Sequence, residues 1–556
     1  MKKALALYVM CTMFLSAQYH TNQQLTDELQ KLSKQYPQIK FRSIAKTLNE
    51  NDLWAVTVGT GEQDKKKAIL VVGGIEASSL AGTEYALQFI SHLARSFGKV
   101  DSITALLEKT TIYVIPRPNP DGVESFFETP RSERETNNTP FDDDRDGDID
   151  EDGPDDLNND GIISWMRITD PRGEWIVSTE DSRIMKKADP AKNERGVYRL
   201  LIEGKDNDHD EEWNEDPVGG TDLNRNFTYN YQFFGKNSGI HQISENESRA
   251  IADFVFDHPN IGMVFTFSSN DNLSAAWKNE PPKGDSPVIT SVAKDDEEYF
   301  GSISKKFNEI TKLKDAPKPV KGEGAFSEWA YFHAGRWSFS ARPWWPGELP
   351  KSKDSAVVKD TTKKNPDFKK EEKEKSDDPI LRTLKWYDTA GKKDMFVPWT
   401  KFNHPDFPKQ VVEIGGIKPF VLSNPPAESL ESFSKNYTAF LTAFSAQLPE
   451  ITVTNERIEK LGSNIYRVTV DVVNNGYLPT NNSLGVKTRW VRNVRIVLDP
   501  GKGNAVTSGK AKQILDPIKG SGGFKTLSWI VVGKGTVTIT AESPVSGMSE
   551  VKIGLK

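Results

Sequence analysis

The chain has 556 residues, which exceeds the roughly 250–300 at which a single hydrophobic core stops growing, so two or three domains are expected. Hydrophobic residues make up 36% of it, and with the glycines counted this is close to an ordinary globular composition, which excludes a disordered or membrane-embedded chain. The net charge of −7, with 72 basic and 79 acidic side chains, leaves no basic excess and argues against a nucleic-acid-binding protein.

The N-terminus has the pattern of an exported protein. Lys2 and Lys3 precede an apolar run from Ala4 to about Ala17, which is typical of a secretory signal peptide. The run is too short to span a membrane, which takes about 20 residues. We therefore expect cleavage after Ala17 and export to the periplasm or the extracellular space. Because the one cysteine, Cys11, lies in this segment, the mature chain would have neither disulfides nor thiolate metal sites.

Helical and extended patterns alternate over the next four hundred residues or so. The spacing of apolar residues predicts helices over 23–35, 80–97, 245–256, 298–310 and 427–446. It predicts buried strands over 53–58, 68–75, 110–115 and 263–267. Strands that alternate with helices indicate an α/β layer built on a parallel or mixed sheet.

The pattern changes after Pro449, where we place a domain boundary. Val468, Val470 and Val472 alternate with polar residues, and similar short runs separated by Gly, Asn and Pro turns continue to the end of the chain. This alternation predicts an all-β sandwich over residues 450–556, after an α/β domain over 18–449. Residues 351–378, rich in Lys, Asp and Glu, are predicted to be a solvated charged insertion.

Acidic residues are concentrated in two segments, 142–164 and 206–216. Two runs of alternating acidic or amide residues end at Gly147 and Gly161, and carboxylates at alternate positions before a turn glycine are typical of loops that bind Ca²⁺. A third run lacks the glycine and matches this pattern less well. The alternative is a solvated acidic surface. The candidate calcium ligands are Asp142, Asp144, Asp146 and Asp148, then Asp156, Asn158 and Asp160, and in the third run Asp206, Asp208 and Asp210.

Several segments in order resemble motifs of the zinc carboxypeptidase family of the carboxypeptidase A type. They are residues 73–84 at a predicted strand-to-helix junction, Asn-Pro-Asp-Gly at 119–122, the pair Arg131 and Arg134, Asp-Leu-Asn-Arg-Asn-Phe at 222–227, and the stretch 326–342. The resemblance covers roughly residues 20–445. It implies an α/β/α domain with a mixed central sheet.

The same resemblance implies a zinc ion held by two histidines and a glutamate, with a second glutamate as base. None of the seven histidines lies at a matching position; the residues found there are Glu76, Ser79, Ser268 and Arg342. One carboxylate and two hydroxyls make a poor zinc site, and an arginine cannot act as a base. We therefore expect no zinc and no catalytic residue at these vestigial positions, and an ion pair between Glu76 and Arg342.

The substrate-binding part of the family pattern is retained. Arg134, Asn224 and Arg225 match residues that hold a substrate's carboxylate, which arginine binds through paired hydrogen bonds. Alternatively, they are structural ion-pair partners. The leading hypothesis is an exported carboxypeptidase-like protein that binds a peptide tail or an acidic small ligand and contains structural calcium. An active metallocarboxypeptidase with unusual metal ligation, or a calcium-stiffened scaffold that binds through its β-sandwich, are the alternatives.

Overall fold

The computed structural model describes residues 19–280, 289–347 and 378–555. The predicted signal peptide, residues 1–17, lies wholly outside these ranges, as does the charged insertion except for Asp378. Within them, no helix is both long and apolar enough to cross a membrane. The helices are α1 (Asn22–Gln35), α2 (Leu80–Ser96), α3 (Asp101–Lys109), α4 (Pro120–Glu124), α5 (Asn246–Asp257), α6 (Glu297–Thr311), α7 (Phe326–Phe332), α8 (Pro379–Thr389), α9 (Leu430–Ser445) and α10 (Ser483–Thr488).

The strands form four sheets. In chain order they are β1 (Ile39–Lys46), β2 (Asp52–Val58), β3 (Lys67–Gly74), β4 (Thr110–Ile115), β5 (Trp165–Thr169), β6 (Trp175–Val177), β7 (Met185–Lys187), β8 (Tyr198–Ile202), β9 (Ile261–Phe267), β10 (Trp337–Ala341), β11 (Phe396–Phe402), β12 (Val412–Ile417), β13 (Ile451–Gly462), β14 (Ile465–Asn474), β15 (Arg495–Asp499), β16 (Ala505–Ser508), β17 (Lys512–Ile514), β18 (Gly523–Val532), β19 (Gly535–Ser543) and β20 (Gly547–Leu555).

A mixed six-stranded sheet lies at the centre of the α/β part, in the order β1-β2-β4-β3-β9-β10. The four strands from β4 to β10 are parallel, whereas β1 and β2 are antiparallel additions. Every residue of β3, β4, β9 and β10 is buried, as expected for parallel strands covered on both faces. The predicted α/β class with a mixed sheet is confirmed, and each helix and strand predicted here overlaps one in the structure.

The second sheet was not predicted. It is antiparallel, in the order β11-β12-β5-β8-β6-β7, and it joins residues 165–202 with residues 396–417. Its strands are short and mostly half-buried, so their apolar periodicity is weak in the sequence. One of its faces packs on a small core that contains Met166, Ile168 and Val412.

The C-terminal residues form two four-stranded antiparallel sheets, β13-β14-β18-β16 and β17-β15-β19-β20. Val468, Val470 and Val472 on β14 are fully buried in a hydrophobic cluster whose members all lie within residues 451–555. The buried side chains therefore follow the period-two alternation seen in the sequence. A contact to the α/β part is made by Lys67, which donates to Pro449 O and pairs with Glu450, both at 3.1 Å.

Candidate functional site

The vestigial positions of the zinc carboxypeptidase pattern lie at one edge of the central sheet. Glu76 follows β3, Ser268 follows β9 and Arg342 follows β10. Because these strands are parallel neighbours, their carboxyl ends meet at the same edge, which is where α/β sheets place their sites. Ser79, which is 9% exposed, immediately precedes α2 at this edge.

Glu76 is 4% exposed and is held by several hydrogen-bond donors. Its Oε1 accepts from Asn224 Nδ2 at 3.0 Å, from Ser268 Oγ at 2.9 Å, and from both the backbone N–H and the hydroxyl of Ser269 at 3.0 and 2.9 Å. Its Oε2 is buried and has no hydrogen-bond partner in the described part of the chain. One oxygen of this carboxylate is therefore satisfied and the other is not.

The predicted ion pair between Glu76 and Arg342 is wrong: no charged atoms of these two described residues lie within 4.0 Å of one another. The donors around Oε1 of Glu76 are neutral groups. The backbone of Arg342 is held instead, since its N–H donates to Asp271 at 3.4 Å and its carbonyl accepts from Tyr437 at 2.5 Å. Neither does the hydroxyl of Ser79 hydrogen-bond to Glu76 or Ser268.

Negative charge accumulates around Glu76. Partial desolvation in the cleft, and next the carboxylate of Glu76, raise the pKa of Glu135 to about 7, although Glu135 stays in contact with solvent. Arg225 and Arg342 oppose this rise. Burial, and then the charges of Glu135 and Glu76, also raise the pKa of Asp222 well above its usual range. The two arginines thus offset a group of three acids without a direct pair to Glu76.

The predicted carboxylate-binding residues differ in how far their side chains are occupied by partners within the chain. Asn224 is 5% exposed, and its amide is occupied within the chain, because Nδ2 donates to Glu76 while Oδ1 accepts from the N–H of Phe326 at 3.1 Å. Arg225 pairs with Glu323 at 3.6 Å, and its side chain is 37% exposed. Asn224 therefore supports Glu76, whereas Arg225 keeps part of its guanidinium accessible.

Arg134 has no carboxylate within ion-pair distance among the described residues. Its guanidinium donates to the carbonyl of Val218 at 3.2 Å and to the side chain of Asn138 at 2.5 Å, and its Nε has no partner. Burial lowers its pKa without neutralising it at ordinary pH. This charge is compensated only by neutral acceptors and more distant acids, so it is suited to bind an anion.

Arg134 lines a cavity of about 630 Å³ between residues 125–138 and one face of the second sheet. The wall opposite includes the side chains of Trp165, Trp175 and Trp399. This cavity could not be predicted from the sequence, because it depends on the second sheet, which was not predicted. The isolated tryptophans of the short strands carry no signal that would have revealed it.

The first and third acidic runs meet in space. Carboxylate oxygens of Asp144, Asp208, Asp210 and Glu215 lie within 4.8 Å of one another, and Asp144 also belongs to two further groups of this kind. These groups include Asp142 and Asp146 from the predicted ligands, together with Glu151 and Asp216. Asp148 and Asp206 belong to none of them. The run that matched the calcium pattern less well thus supplies part of the same cluster as the first run.

The second run forms a separate turn. Oxygens of Asp156 accept from the N–H of Asp160 at 3.0 Å and of Gly161 at 2.8 Å, while the amide of Asn158 donates to Asp160 at 3.1 Å. These bonds hold the three predicted ligands close together. In the described residues the second run is not part of a group of three acids.

Some acids of this cluster have carboxylate oxygens without a hydrogen-bond partner among the described residues. Partial burial, and next the neighbouring carboxyl group of Asp152, raise the pKa of Glu215 to about 8. Among the residues that the structure describes, neither carboxylate oxygen of Glu215 or of Glu151 has a hydrogen-bond partner. Asp152 and Asp216 are fully buried and adjacent through an antiparallel bridge. This concentration of negative charge is unfavourable without a cation.

The acidic runs are attached to the segment that carries Arg134. The N–H of Arg131 donates to the carbonyl of Gly161 at 3.0 Å, and Ile163 returns a bond to the carbonyl of Arg131 at 2.9 Å. On the other side, Asp150 accepts from the N–H of Gly219, at 3.1 Å, next to the carbonyl of Val218 that holds Arg134. The segment with Arg134 is thus held between two acidic loops.

Comparisons with known proteins agree with this architecture. A profile of the zinc carboxypeptidase family matches residues 25–169, and a profile of a domain of unknown function, DUF8731, matches residues 450–554. Carboxypeptidase M of Mus musculus is 29% identical over 115 residues, which is 20% of this chain and 26% of that protein. Carboxypeptidase D of Homo sapiens is 27% identical over 125 residues, 22% of this chain and 8% of that protein.

Among solved structures, carboxypeptidase A of Helicoverpa armigera is 15% identical, covers 58% of this chain and 64% of that one, and has a TM-score of 0.38. The chain spans about a quarter of the length of mouse carboxypeptidase M, 26%, so the likeness is to part of that protein. Residues 25–169, in the N-terminal α/β part, are therefore similar to the zinc carboxypeptidase family.

Proposed function

We propose that this chain is an exported carboxypeptidase-like binding protein that holds the carboxylate of a peptide tail at Arg134 and Arg225, stabilised by structural Ca²⁺. The observation that carries the proposal is Arg134, a largely enclosed guanidinium that lines a cavity and has no carboxylate partner in the described residues. A carboxylate bound there would supply an acceptor with a negative charge, which the carbonyl of Val218 and the amide of Asn138 do not.

Zinc hydrolysis is not part of this proposal, because the side chains around Glu76 do not fit Zn²⁺. Zinc in proteins is bound by imidazole nitrogen, thiolate sulfur and carboxylate oxygen. Glu76 is surrounded by one amide and two hydroxyls from Asn224, Ser268 and Ser269. Neutral amides and hydroxyls are weak ligands for this ion, and Arg342, where the family pattern has its base, cannot accept a proton at neutral pH.

Calcium enters the proposal through the cluster around Asp144. Ca²⁺ takes six to eight oxygen ligands and accepts irregular geometry, so carboxylates from two separate loops can share one ion. A divalent cation would also offset the charge of Glu151 and Glu215, whose oxygens have no other partner. The role of such an ion is to join residues 142–151 to residues 206–215. It takes no part in chemistry.

The test is a binding measurement with defined peptides. A fluorescein-labelled hexa-alanine with a free carboxylate should bind the full chain, and the same peptide with an amidated C-terminus should bind at least about tenfold more weakly, since a charge-assisted bond is lost. Arg134→Gln should reduce affinity for the free acid by a similar factor. Arg172→Gln is the matched control, because the Arg172 side chain is 92% exposed, and it should change nothing.

The same preparation separates the proposal from an active enzyme. After dialysis against zinc, metal analysis should find calcium and less than one zinc per chain, and mass spectrometry should find the peptides intact. Stoichiometric zinc together with release of C-terminal residues would overturn the proposal in favour of a metallocarboxypeptidase with unusual ligation. Equal binding of the acid and the amide would overturn the carboxylate site.

A further inference from the structure

We propose that the cavity beside Arg134 is a second subsite of the same cleft, which binds an aromatic side chain upstream of a peptide's terminal carboxylate. This inference rests on the proposed function, since Arg134 is shared by both. The volume of about 630 Å³ is within the range of sites that enclose small ligands, and exceeds what one carboxylate needs. The space beyond Arg134 can therefore hold a bulkier group.

The face of the second sheet that borders the cavity is aromatic and aliphatic. Trp165 on β5 lies directly opposite Ile202 on β8, and side chains opposite one another in an antiparallel pair share a face. Both line the cavity, and they are 38% and 42% exposed. The alternate residue Met166 points to the other face and is fully buried. Apolar groups at this level of exposure, within a concave surface, favour an apolar ligand.

The lack of a side chain at Gly416 leaves room for the ring of Trp165. A Cβ added to Gly416, which lines the cavity, would meet Cδ1 of Trp165 at 3.1 Å, and the φ of +112° at Gly416 disfavours any other residue. The absence of a side chain there lets the indole approach the neighbouring strand closely. The indole of Trp165 lines the cavity and offers a ring on which another aromatic ring can stack.

The polar groups of the cavity favour a peptide over a plain hydrocarbon. The indole N–H of Trp399 is used within the chain, donating to the carbonyl of Arg183 at 3.0 Å. Within the described residues, the indole N–H groups of Trp165 and Trp175 have no such acceptor and can donate to peptide carbonyls. Arg183 and Lys418 on the wall are already paired with acids, which leaves Arg134 to hold the carboxylate.

The experiment compares hexapeptides that are all alanine with peptides that carry one phenylalanine at each position in turn. At one or more positions before the last residue, phenylalanine should increase affinity about tenfold, as expected for burying an aromatic ring. Trp165→Ala should remove most of this gain, and Ile202→Trp, which places extra bulk directly opposite Trp165, should do the same. Trp165→Phe keeps a ring at this position and should retain most of the gain.

Trp490→Ala is the matched control, because Trp490 is 55% exposed in the C-terminal part and does not line the cavity. It should leave the gain from phenylalanine unchanged. The inference is overturned if phenylalanine gives no gain at any upstream position, or if the gain survives both Trp165→Ala and Ile202→Trp. If amidated peptides bind as well as free acids but the gain from phenylalanine depends on Trp165, the aromatic subsite stands and the carboxylate proposal fails. If free acids bind more tightly than amides but phenylalanine gives no gain that depends on Trp165, only the aromatic subsite is refuted.

Discussion

Asn224 and Glu76 lie 148 residues apart in the sequence, and the amide of Asn224 donates to Oε1 of Glu76 over 3.0 Å. Both residues are nearly fully buried. The bond joins the turn Leu223–Arg225 to the end of β3 and places Arg225 at the edge of the central sheet. Asn224, which matches a substrate-binding asparagine of the family pattern, thus has a hydrogen-bond partner within the chain. Its first role is to position the residues next to it.

Removing that amide should destabilise the α/β part. Asn224→Ala leaves Glu76 with fewer donors and leaves the N–H of Phe326 without its acceptor, so we expect a loss of about 2 kcal/mol. Calorimetry is the suitable measurement because it separates the transitions of different domains. Asn475→Ala, an exposed asparagine with one side-chain bond to Thr452, should stay within about 0.5 kcal/mol of the parent. Equal effects of both substitutions would contradict this role.

Stability should fall as pH rises from acid to neutral, in part because of Glu247. Glu247 is only 2% exposed. This burial, together with the nearby charges of Glu245 and Asp121, raises the pKa of Glu247 to about 7. In the unfolded chain its pKa is about 4.3. Between these values the folded state binds the extra proton, so stability is lost as pH rises through this window and the loss is complete above about pH 7.

Glu247→Gln removes this titration while keeping the size of the side chain. The variant should lose less stability than the parent between pH 5 and 8, by at most roughly 3 kcal/mol for a shift of this size. The difference is read from unfolding curves at the two pH values. Glu62→Gln, whose parent side chain is 73% exposed, serves as the control. Parallel pH profiles for Glu247→Gln and the parent would show that Glu247 does not titrate as described.

Calcium binding should depend most on Asp144, which belongs to each of the three acidic groups. Asp144→Asn keeps the shape of the loop but removes a charge, and should weaken calcium binding roughly tenfold in isothermal titration calorimetry. Asp253→Asn alters an exposed residue of α5 and should not change it. If the parent binds no calcium at millimolar concentration, the acidic runs are a solvated surface and the calcium proposal fails.

Chelation should weaken ligand binding without unfolding the chain. The acidic segment 142–164 supports Arg134 at two places: the carbonyl of Gly161 accepts from the N–H of Arg131, and Asp150 accepts from the N–H of Gly219, next to the carbonyl of Val218 that Arg134 contacts. With calcium removed, this segment should become more mobile, and affinity for the hexa-alanine acid should fall several-fold while far-ultraviolet circular dichroism stays the same. The Asp156→Asn variant, which loosens the second loop alone, should show a partial effect. An affinity that is indifferent to chelator would mean that the loops and Arg134 are independent.

Zinc binding should appear when the family ligands are restored. The triple variant Glu76→His, Ser79→Glu and Ser268→His places two imidazoles and a carboxylate at the positions implied by the resemblance. It should retain about one zinc per chain after gel filtration, measured by mass spectrometry of the metal. The parent and a triple alanine variant at these positions should retain none. Zinc bound equally by the parent would show that other residues form a zinc site.

Local patterns in the sequence sufficed for the α/β layer and for the C-terminal strands. The helices and strands of the central sheet are long and fully buried, so their apolar spacing is strong, as in α2 and β3. Family motifs also located Glu76 and Ser268 at the correct sheet edge. Each of these inferences rests on residues close together in the chain, or on the rule that parallel strands end at one edge.

Only the tertiary structure decided which distant residues meet. The second sheet joins β5 to β12, and the acidic cluster joins Asp144 to Asp208; neither pairing has a periodicity that the sequence displays. The pairing of Glu76 with neutral donors rather than Arg342 is of the same kind. Contacts between remote segments depend on how the whole chain packs, since side-chain spacing reports only which face of an element is buried. The cavity beside Arg134 exists because of such contacts.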